Sequence, residues 1–376
     1  MALTDIDVAR TGPGTLAGRY MRQFWQPVYT SADLPPKRAK PIRIMSEDFT
    51  LYRGESGAAY VVGFRCAHRG TQLSTGWVRG ENIRCLYHGW TYDGAGQCVE
   101  QPAEPEPFCA KVRIRGYPTQ EYLGLVFAYL GEGEPPPLPR YLEFEDAERF
   151  QPYRMDVDSC NWFNRIDQAG DVVHVFFAHP QLGCPSPPGV RTHATEYGMA
   201  VYADYADGSQ DITHYHMPNL NLFGVGGDER KNIQWRVPID DEHYRTFGVG
   251  ALARALQAAT NPPPAQDPAA GPHGTVEELG DAILRGDLTI DDILHLPNAV
   301  PIEDYVITVG QGAIAPREAD RLGKEDAAII LLRKIWAREL QALENGRPPT
   351  RWQRPGPLPV YVAAPGAATE VEQVPA

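Results

Sequence analysis

The sequence predicts an α+β protein in which a β-rich N-terminal domain precedes a larger domain of strands and helices. Between residues 42 and 129, short runs of β-branched and aromatic residues are broken by glycines, which is typical of an antiparallel β domain. Residues 195–249 alternate in the same way and predict a second set of strands. Two helix-compatible segments, 161–178 and 303–344, lie on either side of that set, and we expect the second to be interrupted near 310–316.

The domain boundary is predicted from a change in composition. A run of glycine, glutamate and proline at 131–139 cannot continue a β ladder and predicts a stiff linker. We therefore expect two domains, 1–140 and 141–356, since a chain of 376 residues is longer than a single hydrophobic core usually organises. The proline- and alanine-rich end, 357–376, predicts a flexible tail, and the proline-rich stretch 261–274 predicts a mobile surface loop.

Charge and hydropathy exclude several classes of function. The formal net charge of −13 and the pI near 5.3 argue against a nucleic-acid or anionic membrane partner. The longest apolar candidate, 122–130, is about half of what a membrane span needs, and the N-terminus predicts no signal peptide. Six cysteines are too few for a disulfide scaffold in a chain of this length. We therefore expect a cytoplasmic protein whose cysteines are buried or bind a metal.

The strongest pattern combines cysteine and histidine in two short segments. Cys66-Ala-His68 is followed, after sixteen residues, by Cys85-Leu-Tyr-His88. A structural zinc site takes the same ligand types, but each half of such a site usually supplies two cysteines or two histidines. One thiolate and one imidazole in each segment suit a [2Fe–2S] cluster in which one iron binds both cysteines and the other both histidines. The spacing therefore favours the iron–sulfur interpretation over zinc.

These segments resemble the Rieske motif of the non-haem iron ring-hydroxylating oxygenases, Cys-x-His-Arg-Gly followed by Cys-x-x-His-Gly-Trp. Respiratory Rieske proteins usually add a second cysteine to each loop, and this chain instead has Arg69 and Gly70 in the first loop and Gly89 and Trp90 in the second. The resemblance extends over residues 21–343. It implies the oxygenase type of cluster, which passes electrons to a neighbouring iron.

A second pattern, Asp171-Val-Val-His174-Val-Phe-Phe-Ala-His179, lies in the first helix-compatible segment. Two histidines and a carboxylate with open coordination positions form the facial triad of Fe(II) oxygenases. Asp171 and His174 are three residues apart, which predicts a shared helical face. The five-residue step to His179 rotates its side chain by about 140° on a regular helix. Pro180 disfavours helical geometry at His179, so we expect the helix to fray or bulge there.

This segment resembles the Asp-x-x-His-x-x-x-x-His pattern of Rieske oxygenases in the phthalate-dioxygenase-like branch. The resemblance implies that His174 and His179 bind a mononuclear iron. It also implies that Asp171 is not a ligand but connects this site to a cluster histidine of an adjacent subunit, for which His88 is the candidate. For Asp167, four residues before Asp171, two interpretations remain open: it lies beside this site, or it is a charge on the helix surface.

The third iron ligand is expected to be a carboxylate far downstream. Glu303 and Asp304 follow Pro301 at the start of the second helical segment. In the family that this stretch resembles, the ligand is an aspartate entering such a helix, which favours Asp304. Glu303 remains the competitor, since either acid could simply be a favourable charge near a helix N-terminus.

The resemblance as a whole implies the terminal oxygenase component of a multicomponent system. It would use O2 and electrons from a reductase or ferredoxin to hydroxylate or oxidatively O-demethylate an aromatic or related hydrophobic molecule. Its cofactors would be a Rieske [2Fe–2S] cluster and a mononuclear Fe(II), its assembly a homotrimer, and its catalytic domain an antiparallel sheet flanked by helices. Two alternatives remain: a Rieske electron-transfer protein with a non-catalytic ligand-binding domain, and a binding module with structural zinc.

Several other polar residues carry no clear pattern. His214 and His216 share one face of a predicted strand and are expected to be structural. Arg191 and Arg236 could meet a carboxylated ring, but surface roles are favoured. The sequence does not indicate the substrate.

Overall fold

The computed structural model describes residues 7–227, 230–251, 272–354 and 356–365. Most of the predicted proline-rich loop and the last eleven residues of the predicted tail lie outside the described residues. No helix in the described ranges is long and apolar enough to cross a membrane.

The N-terminal half consists of three small antiparallel sheets, in agreement with the predicted β-rich domain. Their strand orders are β1-β11-β10, β2-β3-β4-β9 and β5-β6-β7-β8. The strands are β1 (Trp25–Thr30), β2 (Ala39–Ile44), β3 (Glu47–Arg53), β4 (Ala59–Gly63), β5 (Trp77–Arg79), β6 (Asn82–Arg84), β7 (Thr91–Tyr92), β8 (Cys98–Glu100), β9 (Gly116–Tyr117), β10 (Thr119–Tyr122) and β11 (Leu125–Tyr129).

The turn between β2 and β3 connects this half to the rest of the chain. Met45 and Ser46 both have positive φ, as a two-residue hairpin turn requires. Their backbone N–H groups donate to the carbonyls of Pro238 and Ile239, at 2.9 and 2.8 Å. The predicted linker at 131–139 has no regular structure.

The second half is organised around an eight-stranded antiparallel sheet, as expected for the catalytic domain. Its order is β12-β18-β17-β16-β15-β14-β13, with β19 paired to β15. The strands are β12 (Gln151–Asp158), β13 (Gly189–Ala194), β14 (Gly198–Asp204), β15 (Gln210–His216), β16 (Leu220–Phe223), β17 (Asn232–Pro238), β18 (Tyr244–Gly250) and β19 (Tyr361–Val362).

Six α-helices among the described residues complete the fold. They are α1 (Leu16–Met21), α2 (Trp162–Gly170), α3 (His174–Ala178), α4 (Val276–Arg285), α5 (Ala299–Val309) and α6 (Ala327–Glu344). One face of α6 is apolar and buried, and Trp336 on it packs edge-on against Trp162 of α2 with ring centroids 5.3 Å apart. These two helices therefore form one layer around a shared aromatic core.

Three details of the predicted helices are corrected. α5 begins at Ala299, so Glu303 and Asp304 lie in its second turn rather than at its N-terminus. The interruption before α6 is longer than 310–316, since α6 begins only at Ala327. α4 was not predicted, although Thr275 and Glu278 form a capping box at its start.

The predicted tail is shorter than expected. Val360 is fully buried, and Tyr361–Val362 forms the edge strand β19 on β15. Val360 also accepts a hydrogen bond from the backbone of Ile212 at 2.8 Å. Within the predicted tail, Tyr361–Val362 therefore belongs to the second sheet, and Val360 anchors the chain beside it.

Candidate metal centres and their cavity

The two predicted cluster segments fold into matching loops. Cys66 lies between β4 and β5, and Cys85 lies between β6 and β7. In each loop the glycine four residues after the cysteine donates a backbone hydrogen bond to the cysteine carbonyl. The N···O distance is 2.9 Å for Gly70 and 3.1 Å for Gly89. Both glycines have positive φ, near +75°, which a residue with a side chain rarely adopts. The local sequence therefore folds both loops into the same tight turn.

The four side chains of these loops come together at the end of the small sheet. Cys66 and Cys85 are buried, and the imidazole rings of His68 and His88 lie 4.6 Å apart. His68 also stacks on Trp90, at 4.5 Å between ring centroids. Two neighbouring thiols and two neighbouring imidazoles are the donor set that a Rieske cluster takes.

Two further observations fit a cluster at this position. Nδ1 of His68 is buried and has no hydrogen-bond partner among the described residues, so it is available to a metal. The hydroxyl of Tyr92 lies 3.2 Å from Sγ of Cys66, and the backbone N–H groups of Tyr87 and His88 point at the Cys85 thiol. Such donors stabilise cluster sulfur atoms. Burial raises the pKa of the Cys85 thiol, and these backbone N–H groups act in the opposite direction by favouring its thiolate.

The second predicted site is built from α3 and α5. His174 begins α3, His179 follows its last residue, and Asp304 lies in α5. The nearest donor atoms of these three residues all lie within 4.8 Å of one another. Oδ1 of Asp304 is 3.2 Å from Nε2 of His179 and 3.8 Å from Nε2 of His174. Two imidazoles and one carboxylate therefore face a common point, as in a facial triad.

The break between α2 and α3 makes this convergence possible. The chain leaves helical geometry at Asp171, whose side-chain Oδ1 accepts the backbone N–H groups of Val173 and His174 at 2.9 and 3.2 Å. The predicted shared helical face of Asp171 and His174 is therefore wrong, because a new helix starts at His174. The expected irregularity at His179 is present, with φ −124° and ψ 63° before Pro180.

Each histidine uses its other ring nitrogen for a second hydrogen bond. Nδ1 of His174 donates to the Asp171 carbonyl at 2.5 Å, and Nδ1 of His179 donates to Oε2 of Glu303 at 2.6 Å. Both Nε2 atoms are therefore left for a metal, which is the usual arrangement of metal-binding histidines. Glu303 is thus the hydrogen-bond partner of His179, while the carboxylate facing both Nε2 atoms is that of Asp304.

Asp304 is held by two side chains of α2. Arg165 donates to its Oδ2 at 2.7 Å, and Gln168 donates to its Oδ1 at 2.6 Å. Burial alone would raise the pKa of Asp304, but the charge of Arg165 and the hydrogen bond of His179 hold that pKa well below its usual range. The carboxylate is therefore ionised, as a metal ligand must be.

Asp171 and Asp167 have different surroundings. The carboxylate of Asp171 remains partly exposed and lines the cavity described below. Asp167 forms ion pairs with Arg317 at 3.0 Å and with Arg333 of α6 at 2.7 Å. Asp167 therefore connects α2 to α6 through an ion pair. Neither of the two roles predicted for it included this contact.

A cavity of about 210 Å³ lies against the three converging residues. Much of its wall is apolar and includes Met155, Val175 and Phe223, while Arg165 and Arg236 add charge. Ligand pockets typically measure roughly 300–1,000 Å³, so the size favours a small molecule. Arg191, by contrast, is exposed and paired with Asp204 at 2.6 Å. Of the two arginines that the sequence analysis named, only Arg236 therefore lines the cavity.

Sequence reasoning missed four contributors to the site: Arg165, Gln168, the role of Glu303, and the buried position of Arg236. The three-residue spacing of Arg165 and Gln168, which places both on one face of α2, was a usable signal. His214 and His216 are both buried, and the Tyr197 hydroxyl lies 2.8 Å from Nδ1 of His214.

Known proteins resemble this chain both in its first domain and over most of its length. Residues 24–119 match the Rieske [2Fe-2S] domain. Phenoxybenzoate dioxygenase subunit alpha of Ectopseudomonas oleovorans is 30% identical, over 92% of this chain and 87% of that protein. The 5,5'-dehydrodivanillate O-demethylase oxygenase subunit of a Sphingobium species is 28% identical, over 91% of this chain and 81% of that protein.

Solved structures agree at the level of the fold. The oxygenase of carbazole 1,9a-dioxygenase, in complex with its ferredoxin, superposes with a TM-score of 0.60 at 20% identity, covering 86% of this chain and 92% of that one. A Pseudomonas putida CBB5 NdmA mutant with caffeine gives a TM-score of 0.62 at 19% identity, covering 90% and 94%. The chain therefore belongs to the Rieske non-haem iron oxygenases, as an oxygenase component whose cofactors are a [2Fe–2S] cluster and a mononuclear iron.

Proposed function

We propose that this chain oxidises an aromatic or related hydrophobic small molecule with O2, by hydroxylation or oxidative O-demethylation. The observation that carries the proposal is the convergence of His174, His179 and Asp304 at the wall of a largely apolar cavity. Relatives named as a dioxygenase and as an O-demethylase support these two reaction types.

In this proposal the three converging side chains hold the mononuclear iron. When bound, the iron supplies the activation of O2 beside the substrate. The chain contributes orientation: Glu303 and the Asp171 carbonyl set the tautomers of the two histidines, and Arg165 holds the Asp304 carboxylate. The apolar walls of the cavity exclude water and position the reacting carbon.

The cluster is held by Cys66 and Cys85 on one iron and by His68 and His88 on the other. Electrons reach it from a ferredoxin or reductase, as the ferredoxin complexes of the carbazole enzyme suggest by analogy. The chain assembles as a homotrimer, in which His88 of one subunit approaches Asp171 of the next. Partial exposure of both side chains, and exposed Tyr87 beside His88, are consistent with such a contact.

Replacement of Asp304 by alanine tests the iron site. Asp304→Ala is expected to lose the mononuclear iron and all O2-dependent product, because two neutral imidazoles hold Fe(II) poorly without the carboxylate. The cluster should remain, so iron should fall from about three to about two per chain while two acid-labile sulfides persist. Iron and sulfide analysis, the visible spectrum, and O2 uptake with product mass spectrometry on a panel of aromatic acids, methoxy-aromatics and diaryl ethers provide the readout.

The exposed Asp291 offers a matched control, and Asp291→Ala should keep all metal and activity. An Asp304→Ala protein with full iron and undiminished product would show that another carboxylate is the ligand.

A further inference from the structure

A strip of polar side chains lies on the cavity face of the second sheet. Asn232, Gln234 and Arg236 occupy alternate positions of β17, and Asn221 of β16 pairs directly with Gln234. Because alternate residues of a strand point to the same face, these four side chains share one side of the sheet. All four line the cavity beside the proposed iron site.

Arg236 is the most unusual member of this strip. It is 2% exposed, and its Nε and Nη1 have no hydrogen-bond partner among the described residues. Only Nη2 is engaged, as a donor to Oε1 of Gln234. Gln234 is held in turn by the hydroxyl of Tyr153, whose ring lies where a Cβ at Gly248 would stand. The guanidinium is therefore held in place but only partly satisfied.

No carboxylate of the described residues forms an ion pair with Arg236, although the charges of Asp158 and Asp304 are near enough to act on it. The carboxylate of Asp304 is in the same cavity, but its Oδ2 pairs with Arg165 at 2.7 Å and its Oδ1 faces the two histidines. Burial and the nearby charge of Arg165 lower the pKa of Arg236 to about 10, which leaves it protonated at neutral pH. A buried cation without an ion-pair partner is unfavourable unless a ligand supplies the opposite charge.

Asn221 shows the same incomplete bonding. It is 1% exposed, and both Oδ1 and Nδ2 lack hydrogen-bond partners in the described part of the chain. The strand register places it diagonally opposite Arg236, at a typical separation of about 7–8 Å that long side chains bridge. Two buried groups on one cavity face thus both lack a partner that an anionic, hydrogen-bonding ligand would supply.

We propose that Arg236 and Asn221 form the subsite that binds a carboxylate of the substrate, so that this oxygenase acts on an aromatic acid. The proposal rests on the proposed function, since it names the substrate class of the same cavity. Arginine suits a planar carboxylate, and the amide N–H of Asn221 donates to the same group. The ring of the acid then lies against the apolar walls, with the carboxylate on the sheet side.

Direct binding to the iron-loaded enzyme, without O2, tests this subsite independently of turnover. The probes are 3-methoxybenzoate, 4-methoxybenzoate and 3-phenoxybenzoate, each paired with its methyl ester, titrated by calorimetry. At least one acid should bind the wild-type enzyme at least about 10-fold more tightly than its ester. Arg236→Met should remove that preference, Arg236→Lys should keep part of it, and Asn221→Leu should weaken acid binding by about 5–10-fold.

Arg191→Met is the matched control, because it removes an exposed arginine outside the cavity and should leave the preference unchanged. The ratio of acid to ester affinity is read within each variant, and an intact cluster spectrum reports folding. If Arg236→Met does not fold, Arg236→Lys and Asn221→Leu provide the result. The subsite is overturned if no acid binds the wild type better than its ester, including the case in which neither binds, or if the variants keep the full preference.

Failure of the proposed function gives a different result. Acids would then bind with the predicted preference, but no probe would yield an O2-dependent product from the fully metal-loaded enzyme.

Discussion

The two proposed metal sites differ in how far apart their residues lie along the chain. The four cluster residues lie within 23 residues, on two loops of one small sheet, and each loop is closed by its own backbone hydrogen bonds. His174 and Asp304, by contrast, are 130 residues apart and meet only because α3 packs against α5. The first site is made by local turns, and the second by tertiary packing.

This difference shows where each site is vulnerable. The cluster loops depend on glycines with positive φ and on the spacing of the ligands themselves. The iron site depends on partners that bind no metal, namely Glu303 behind His179, and Arg165 and Gln168 behind Asp304. Changes behind the ligands should therefore affect iron binding while leaving the cluster untouched.

The largest effect is expected from Glu303→Gln. Glu303 is 2% exposed and accepts the Nδ1 proton of His179 at 2.6 Å, so loss of its charge should weaken the imidazole as a ligand. Loss of such a partner typically lowers metal affinity by about 10–100-fold. Competition with a chelator, followed by iron analysis, would measure the change, and the cluster absorption should not alter.

Glu318→Gln is the control, since Glu318 is exposed and lies outside the site. If the Glu303→Gln protein binds its mononuclear iron as tightly as wild type, then Glu303 does not support His179 as a ligand. The iron site would then depend, like the cluster loops, on its ligands and local turns alone.

A smaller and more selective effect is expected from Asp171→Asn. The asparagine can still accept the N–H groups of Val173 and His174, so the start of α3 should be retained. Both metals should therefore stay bound, while loss of the charge slows electron delivery from the cluster of a neighbouring subunit. Rapid-mixing measurement of a single turnover by the fully reduced protein would show slower cluster oxidation; an unchanged rate would argue against the bridging role of Asp171.

The two segments proposed to hold the cluster could be found from the sequence because the turns that shape them are local. The two histidines proposed to bind iron could also be found as a pair, but the position of the helix break could not, since the Asp171 side chain ends one helix and starts the next. The helix α4 was missed although Thr275, Glu278 and Gly286 carry its start and stop signals.

The cavity wall was the least predictable part. For Arg236 a surface role was favoured over contact with a carboxylated ring, and the alternation of polar and apolar residues along β17 could not correct this. Alternation shows that a strand has two different faces but not which of them meets water. Here the polar face meets a cavity and the apolar face meets the core, with Ile233 and Val237 fully buried.

The most direct measurement of the central claim is an anomalous difference map, collected at the iron absorption edge from crystals of the iron-reconstituted protein. We expect one compact peak between Nε2 of His174, Nε2 of His179 and Oδ1 of Asp304. A second, stronger peak should lie between the cysteine and histidine pairs of the two Rieske loops. A map with the cluster peak present and no density at the three-residue site would contradict the account.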